Sequence, residues 1–142
     1  MNKATTAVFI GHSDAPDSVY FSLKSATEKL IKQGVTCFLN GGMGRFDMQC
    51  MQCINELKND YPFIKHYLIL PYLNFKRCGL DFFDDSIYPG FESIPPKIAI
   101  LKRNEWMIKN SMYALCFVNR SFGGAAKTYK LAEKNNLIII NL

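Results

Sequence analysis

Two glycine-rich turns, each directly after an apolar strand-like segment, constrain the fold of this 142-residue chain most strongly. The first turn, residues 40–47, reads NGGMGRFD and follows the apolar segment 35–39. The second, residues 119–127, reads NRSFGGAAK and follows the apolar segment 114–118. Glycine adopts positive φ and lets a ligand approach the backbone, and the N-terminus of a helix after such a turn attracts anions. The two turns therefore predict a site for a phosphorylated or otherwise anionic small ligand.

Apolar segments with strand character alternate with segments of helical periodicity along the chain. Strands are predicted at 7–10, 35–39, 64–70, 113–118 and 137–142, and helices at about 14–33, 45–59, 93–110 and 124–135. In the third helix the expected inner face is Ile98, Leu101 and Met107 or Ile108. Such alternation is typical of a parallel sheet with helices on both faces. The sequence predicts an α/β fold, a single Rossmann-like domain over residues 1–142 with a mostly parallel sheet of about five strands.

The long segment 72–94 interrupts this alternation. It lacks clear periodicity and is predicted as a loop with a short helical piece at about 81–87. A loop of this length in a compact domain is usually functional or mobile. Its carboxylates reach the predicted site only if the loop folds over it; they are Asp81, Asp84, Asp85 and Glu92.

Composition and charge narrow the class of protein. Apolar residues make up 49% of the chain and charged residues 20%, as in ordinary globular proteins. No apolar stretch approaches the roughly 20 residues of a membrane helix, and the N-terminus runs into a short strand without a signal peptide. We therefore expect a cytoplasmic protein without membrane contact.

The net charge of +5 is unevenly distributed, because residues 97–134 carry eight Lys or Arg and only two Glu. This excess is explained either by solvated helix faces or by a basic wall for an anionic ligand. Basic residues interleaved with aromatic ones, as nucleic-acid binders often carry, are absent, so nucleic acid is not the expected partner.

The cysteines do not indicate a cofactor. Cys50 and Cys53 form a C-x-x-C pattern, which raises redox or zinc chemistry. The pattern falls within a predicted helix, however, and no second C-x-x-C or H-x-x-H completes a set of four ligands. The sequence favours a structural pair and indicates no metal site and no cofactor.

Several motifs occur in the order that a known superfamily shows. They are FIGH at 9–12, GGMGRFD at 41–47, YPFIK at 61–65, RNEWM at 103–107, and Gly123-Gly124 followed by Thr128 and Ala132. On these motifs the whole chain resembles the SLOG superfamily of Rossmann-like nucleotide-ligand proteins. Within it, the chain is most similar to the YpsA-like branch of bacterial proteins. The resemblance implies a nucleotide-like ligand at the carboxyl edge of the sheet.

The chain also departs from these relatives. Lys109 and Met112 stand where that branch usually has aspartates, and Ala125 replaces the threonine after the second Gly-Gly pair. These changes make the expected pocket edge more positive and less able to bind a sugar. LOG-type phosphoribohydrolases of the superfamily carry two glutamates where this chain has Tyr129 and Lys130. Hydrolysis by the LOG machinery is therefore not expected.

The residues expected to bind the ligand come from the turns and from the R-N-x-x-M motif. They are Gly11, His12, Gly41, Gly42, Gly44, Arg45, Asp47, Arg103, Asn104, Ser121, Gly123, Gly124 and Lys127. The glycines are also explained by tight turns alone, and His12 by capping of its turn. Asp47 either favours the dipole of its helix or accepts hydrogen bonds from ribose hydroxyls or a base amine. Arg103 either lies on a solvated face or binds phosphate.

These observations favour binding or sensing of a nucleotide or nucleotide-derived ligand. One alternative is a nucleotide N-glycosidic hydrolase without the LOG glutamates, for which Asp47 is the best catalytic candidate. A further alternative is single-stranded nucleic-acid binding, as in the DprA-like relatives of the superfamily. Rossmann-like relatives often pair, so a homodimer is compatible with the sequence, although no interface is evident.

Overall fold

Strands and helices alternate along the chain in the computed structural model, which describes residues 1–76, 80–91 and 93–142. The strands are β1 (Thr6–Gly11), β2 (Cys37–Asn40), β3 (Lys65–Ile69), β4 (Asp85–Ile87), β5 (Tyr113–Phe117) and β6 (Ile138–Asn141). The helices are α1 (Val19–Lys32), α2 (Gly44–Leu57), α3 (Pro96–Lys109) and α4 (Gly124–Lys134), with short 3-10 helices at Lys3–Thr5 and Leu80–Phe82. The α/β fold predicted from the alternation is confirmed.

Six strands of the described chain form one sheet in the order β4-β3-β2-β1-β5-β6. Every neighbouring pair is parallel. The expected number of strands was about five; the additional one is β4, which pairs Tyr67 with Asp85 in a segment predicted as loop or short helix. A strand of three residues is too short to show a period of two. Glu92, part of the same loop prediction, lies outside the described residues.

The sheet separates two hydrophobic cores, because alternate residues of a strand point to opposite faces. On one face Ala7 and Phe9 of β1 pack with α1 and α2. On the other, Val8 and Ile10 pack in a cluster with Met107 of α3 and residues of α4. Helices therefore cover both faces, as expected from the continuous apolar strands.

The inner face of α3 matches the predicted one only at its C-terminal end, where Met107 and Ile108 are buried. Ile98 and Leu101 are exposed, at 46% and 43% of their surface, whereas Ala99 and Arg103 are buried. Apolar residues occur around much of this helix, so its periodicity alone did not fix the buried face. Packing against the sheet selected a face that includes a charged residue.

Cys50 and Cys53 lie on the inner face of α2, and both are fully buried. Burial raises the pKa of each thiol, which keeps the sulfurs protonated. Such thiols act as small apolar groups, which fits the structural interpretation. Among the described residues, no helix has the length and hydropathy to cross a membrane.

Gly11 ends β1 at a place where α2 leaves no room for a side chain. A methyl group at this position would overlap the ring of Phe46, which is fully buried. We expect Gly11→Ala to lower the free energy of unfolding by about 1–3 kcal/mol through overpacking. Urea denaturation measures the change. Gly124→Ala is the control, since an added Cβ there meets no described atom within 4 Å; equal midpoints for the two variants would contradict the prediction.

Candidate functional site

A cavity of about 290 Å³ lies at the carboxyl edge of the sheet, where the strand order reverses between β1 and β5. Parallel α/β sheets bind ligands at such a switch point. The turns after β1, β2 and β5 all contribute to the wall. The lining residues are Phe9, Ile10, Gly11, His12, Ser13, Gly41, Met43, Asp47, Ile100, Arg103, Asn104, Met107, Arg120, Gly123, Gly124, Ala125 and Thr128.

The turn after β2 is held by two side chains. Asn40 accepts a hydrogen bond from the Gly42 amide at 2.7 Å and donates one to the carbonyl of Asp47 at 3.0 Å. The carboxylate oxygen Oδ2 of Asp47 accepts one from the Met43 amide at 2.9 Å. Asp47 therefore closes the start of α2, as expected for an acidic residue in the first turn, and it also lines the cavity.

The second carboxylate oxygen of Asp47, Oδ1, makes no hydrogen bond within the described residues. The side chain is only 8% exposed. Burial raises the pKa of Asp47 from 3.8 to about 7, against the lowering effects of the Met43 amide and of Arg103. A buried carboxyl group with a raised pKa in a cleft is a typical candidate for a functional residue.

Arg103 reaches the same cavity from α3 and is buried, with 3% of its surface exposed. Its Nη1 donates hydrogen bonds to the carbonyls of Gly41 and Ile69, at 2.8 and 3.0 Å. Its Nη2 contacts the sulfur of Met43 at 3.4 Å. Arg103 forms no ion pair with a described carboxylate. The solvated-face interpretation of Arg103 is therefore wrong, and a buried cation without a paired carboxylate faces the cavity.

A chain of hydrogen bonds joins Arg103 to the second glycine-rich turn. Arg103 Nε donates to Asn104 Oδ1 at 2.8 Å, and Asn104 Nδ2 donates to Thr128 Oγ1 at 3.2 Å. Thr128 Oγ1 donates in turn to the carbonyl of Gly124 at 2.9 Å. The R-N-x-x-M motif thus connects the two turns that the sequence singled out.

The second turn leads into α4, and few side chains lie over the backbone where this helix begins. Gly123 has φ +94° and Gly124 is the first residue of the helix. At either glycine an added Cβ would meet no described atom within 4 Å. No described side chain caps this helix, so its first amides are available to an anion.

His12 and Arg120 link the turns after β1 and β5. His12 Nε2 accepts a hydrogen bond from the Asn119 amide at 3.2 Å, so the residue caps its turn, as one interpretation expected. Burial and the charge of Arg120 lower the pKa of His12, which favours the neutral acceptor. Arg120 donates to both carboxylate oxygens of Asp14, at 2.9 and 3.3 Å.

The cavity does not collect every residue that the sequence proposed. Eight of the thirteen line it: Gly11, His12, Gly41, Asp47, Arg103, Asn104, Gly123 and Gly124. The others, Gly42, Gly44, Arg45, Ser121 and Lys127, lie outside its wall. Arg45 is paired with Asp17 on the surface at 2.6 Å.

Gly42 and Gly44 have conformational roles. Both have positive φ, at +69° and +88°. An added Cβ would lie 2.6 Å from Leu68 Cδ1 at Gly42 and 2.6 Å from Ser13 Cα at Gly44. Tight turns therefore explain these two glycines.

Arg120 is the charged wall residue that sequence reasoning missed. It stands in the second turn, but the sequence predicted Ser121 and Lys127 of the same segment as ligand-binding residues instead. The described carboxylates of the long loop are also absent from the wall. Asp84, for example, accepts hydrogen bonds from Lys58 Nζ and from the His66 amide, at 2.6 and 2.7 Å, next to the N-terminal ends of β3 and β4.

Comparison with known proteins identifies the fold. No protein-family model and no curated protein sequence matches the chain. Solved structures match it at low identity. DNA processing protein A (DprA) from Helicobacter pylori, described for its single-stranded DNA binding mode, aligns with TM-score 0.67 and 16% identity over 97% of this chain and 64% of that chain.

Two further solved structures have a similar fold. DprA from Streptococcus pneumoniae aligns with TM-score 0.74 and 11% identity over 96% of this chain and 50% of that chain. The molybdenum cofactor carrier protein from Chlamydomonas reinhardtii aligns with TM-score 0.64 and 16% identity over 96% of this chain and 74% of that chain. The chain thus spans between half and two thirds of the two DprA chains and has a Rossmann-like fold similar to theirs.

Proposed function

We propose that the cavity binds a nucleotide or nucleotide-derived ligand, with an anionic group close to Arg103 and the start of α4. The observation that carries the proposal is the buried Arg103 at the wall, which forms no ion pair with a described carboxylate and feels the charge of Asp47 only at longer range. Buried charges are normally paired, and an anionic ligand supplies the missing partner. The resemblance to the YpsA-like branch of the SLOG superfamily supports the same ligand class.

Asp47 and the cavity size narrow the ligand further. The unpaired oxygen of Asp47 suits a hydrogen-bond donor, such as a ribose hydroxyl or a base amine. A volume of about 290 Å³ is at the lower end of the roughly 300–1,000 Å³ of small-molecule pockets. The cavity is therefore too small to enclose a whole dinucleotide.

A thermal-shift panel tests the proposal. Purified protein is heated with nucleoside monophosphates, NAD, ADP-ribose and cyclic dinucleotides, and each positive sample is then chromatographed. A ligand at 100 times its Kd adds about 2.7 kcal/mol of stability, so a saturating nucleotide should raise the Tm clearly. A panel without any shift would overturn the proposal.

A single methyl group at Gly124 should weaken binding without weakening the fold. Its Cβ meets no described atom within 4 Å, and Gly124 lines the cavity, so the methyl occupies space that an anion needs. We expect Gly124→Ala to raise the Kd of the best nucleotide about tenfold, which corresponds to about 1.4 kcal/mol, with an unchanged Tm of the protein alone. Calorimetric titration measures the Kd.

Arg45→Ala is the matched control for that experiment. Arg45 was expected to bind the ligand, but it lies outside the cavity wall and pairs with the exposed Asp17. Exposed ion pairs contribute little, so neither the Kd nor the Tm should change. A larger effect of Arg45→Ala than of Gly124→Ala would contradict this assignment of the site.

The raised pKa of the buried Asp47 supports a second candidate function, cleavage of an N-glycosidic bond. A carboxyl group that is protonated near neutral pH can donate its proton to the departing base. Once ionised, it stabilises the oxocarbenium-like transition state, and water adds to the sugar carbon in place of the base. This route does not need the LOG glutamates, which are Tyr129 and Lys130 here. Release of a base from the bound nucleotide would support it. Asp47→Asn should then abolish turnover while binding remains measurable.

A single-stranded oligonucleotide in the panel tests the DprA-like alternative. The H. pylori structure is described for its single-stranded DNA binding mode. Residues 97–134 of this chain carry an excess of basic over acidic side chains. Binding through phosphates weakens steeply as the salt concentration rises. For single strands, each phosphate contact adds about −0.7 to the slope of log affinity against log salt concentration. Oligonucleotide binding with a steep slope, in the absence of any mononucleotide shift, would replace the small-ligand proposal.

A further inference from the structure

The aromatic ring of Phe122 lies outside the cavity wall but next to one of its residues, Arg120. The side chain of Phe122 is 69% exposed, and the residue stands in the chain between Arg120 and Gly123, which both line the cavity. A single exposed apolar side chain is common on protein surfaces and means little by itself. Phe122 differs from such residues because it is attached to the second glycine-rich turn and contacts a residue of the wall.

Arg120 is held in place by that contact and by one other. Its guanidinium carbon lies over the ring of Phe122, 5.4 Å from the centroid, which is within cation–π distance. The same guanidinium donates two hydrogen bonds to the carboxylate of Asp14. One member of this pair, Arg120, lines the cavity, and the other, the ring of Phe122, is exposed to solvent.

We propose that Phe122 and Arg120 form a stacking subsite for the nucleobase of the ligand. Aromatic rings and guanidinium planes are the groups on which proteins stack unpaired bases. The inference rests on the proposed function and deepens it, because it assigns the ligand to compounds that carry an aromatic base rather than to phosphorylated sugars.

The size of the cavity supports the placement of the base outside its enclosed part. A volume of about 290 Å³ is small for a whole nucleotide with all its groups enclosed. With the anionic group at Arg103 and the sugar near Asp47, the base extends toward Arg120 in the wall and the Phe122 ring beside it. Stacking there makes few demands on the identity of the base, since every base has a π-face.

The test compares two probes that differ only by the base. One probe is the 5′-monophosphate of adenosine, guanosine, cytidine or uridine that gives the largest thermal shift; the other is ribose 5-phosphate. Wild-type protein should bind the nucleotide more tightly. Phe122→Leu, which keeps an apolar side chain but removes the ring, should weaken the nucleotide about five- to hundredfold, the effect of losing one base–aromatic stack.

Three comparisons complete the experiment. Ribose 5-phosphate should bind Phe122→Leu and wild type equally, and Phe122→Tyr should retain the affinity for the nucleotide. Phe21→Leu is the matched control, because Phe21 on α1 is 82% exposed and lines a separate surface pocket with other residues of α1 and Ile140; it should change neither affinity. The Tm of each variant alone should equal that of wild type, since both rings are exposed.

The outcomes separate this inference from the function on which it rests. An unchanged nucleotide affinity in Phe122→Leu, or an equal loss for both probes, would overturn the stacking subsite. Wild-type protein that binds ribose 5-phosphate as tightly as every nucleotide would also overturn it and leave the anion site standing. Wild-type protein that binds neither kind of probe would overturn the proposed function and the subsite together.

Discussion

Replacement of Asp47 by asparagine is expected to stabilise the fold above pH 7. In the native protein the pKa of Asp47 is about 7 because its carboxyl group is buried, whereas in the unfolded chain it returns to the ordinary value of 3.8. Between these two values the folded state holds a proton that the unfolded state lacks. Stability from this group therefore falls as the pH rises from about 3.8 to about 7.

The size of the effect follows from that shift. Each pKa unit corresponds to 1.36 kcal/mol, and the shift runs from 3.8 to about 7, so Asp47→Asn should raise the free energy of unfolding at pH 8 by about 4 kcal/mol. Asparagine can still accept the hydrogen bond from the Met43 amide. Below pH 3.8 both side chains are neutral, and the variant should match wild type.

Urea denaturation from pH 3.5 to pH 8.5 measures this difference, and calorimetric titration of the same samples measures ligand affinity. A variant that gains stability and loses affinity or turnover would show a residue kept for function at the expense of stability. Equal stability of variant and wild type at pH 8 would show that Asp47 is not held with a raised pKa.

His66 should give the opposite dependence on pH. Its imidazole is fully buried in β3, with the ring of Phe9 at 5.8 Å and that of Phe83 at 4.6 Å between centroids. Burial and the charge of Lys58 lower its pKa from 6.5 to about 3, although Asp84 and the carbonyl of Phe82 favour the protonated form.

The unfolded chain binds a proton at this histidine below pH 6.5, and the folded protein does so only near pH 3. The stability that the neutral imidazole contributes is complete above pH 6.5 and is lost as the pH falls toward 3. At 1.36 kcal/mol per unit, the loss is on the order of 4 kcal/mol. In wild type, the titration of Asp47 offsets much of this loss between about pH 4 and 6.5.

The variant His66→Phe separates the two contributions, because phenylalanine keeps a ring at this position and does not titrate. Relative to wild type, its stability should rise as the pH is lowered from 6.5 to 4. The comparison uses the slope against pH, so a constant packing cost of the new ring does not affect it. Parallel curves for wild type and His66→Phe would contradict a buried neutral histidine.

Except for the short strand β4, the sequence determined the order of elements and the place of the candidate site. Strand, turn and helix depend on residues close in the chain, so the segments around Gly41 and Gly123 carried that information without tertiary contacts. The edge at which parallel strands end is common to all of them, and so the turns after β1, β2 and β5 were expected to meet.

Only the tertiary structure decided which charged side chains face the cavity. Arg103 contacts Gly41, 62 positions away in the chain, and Arg120 contacts Asp14, 106 positions away. Local sequence does not distinguish the buried Arg103 from the surface Arg45. Each lies in a helix whose neighbouring residues are a mixture of apolar and polar ones. Burial, hydrogen-bond partners and pKa depend on atoms that only packing brings together, and for that reason the chemistry of the site came from the fold.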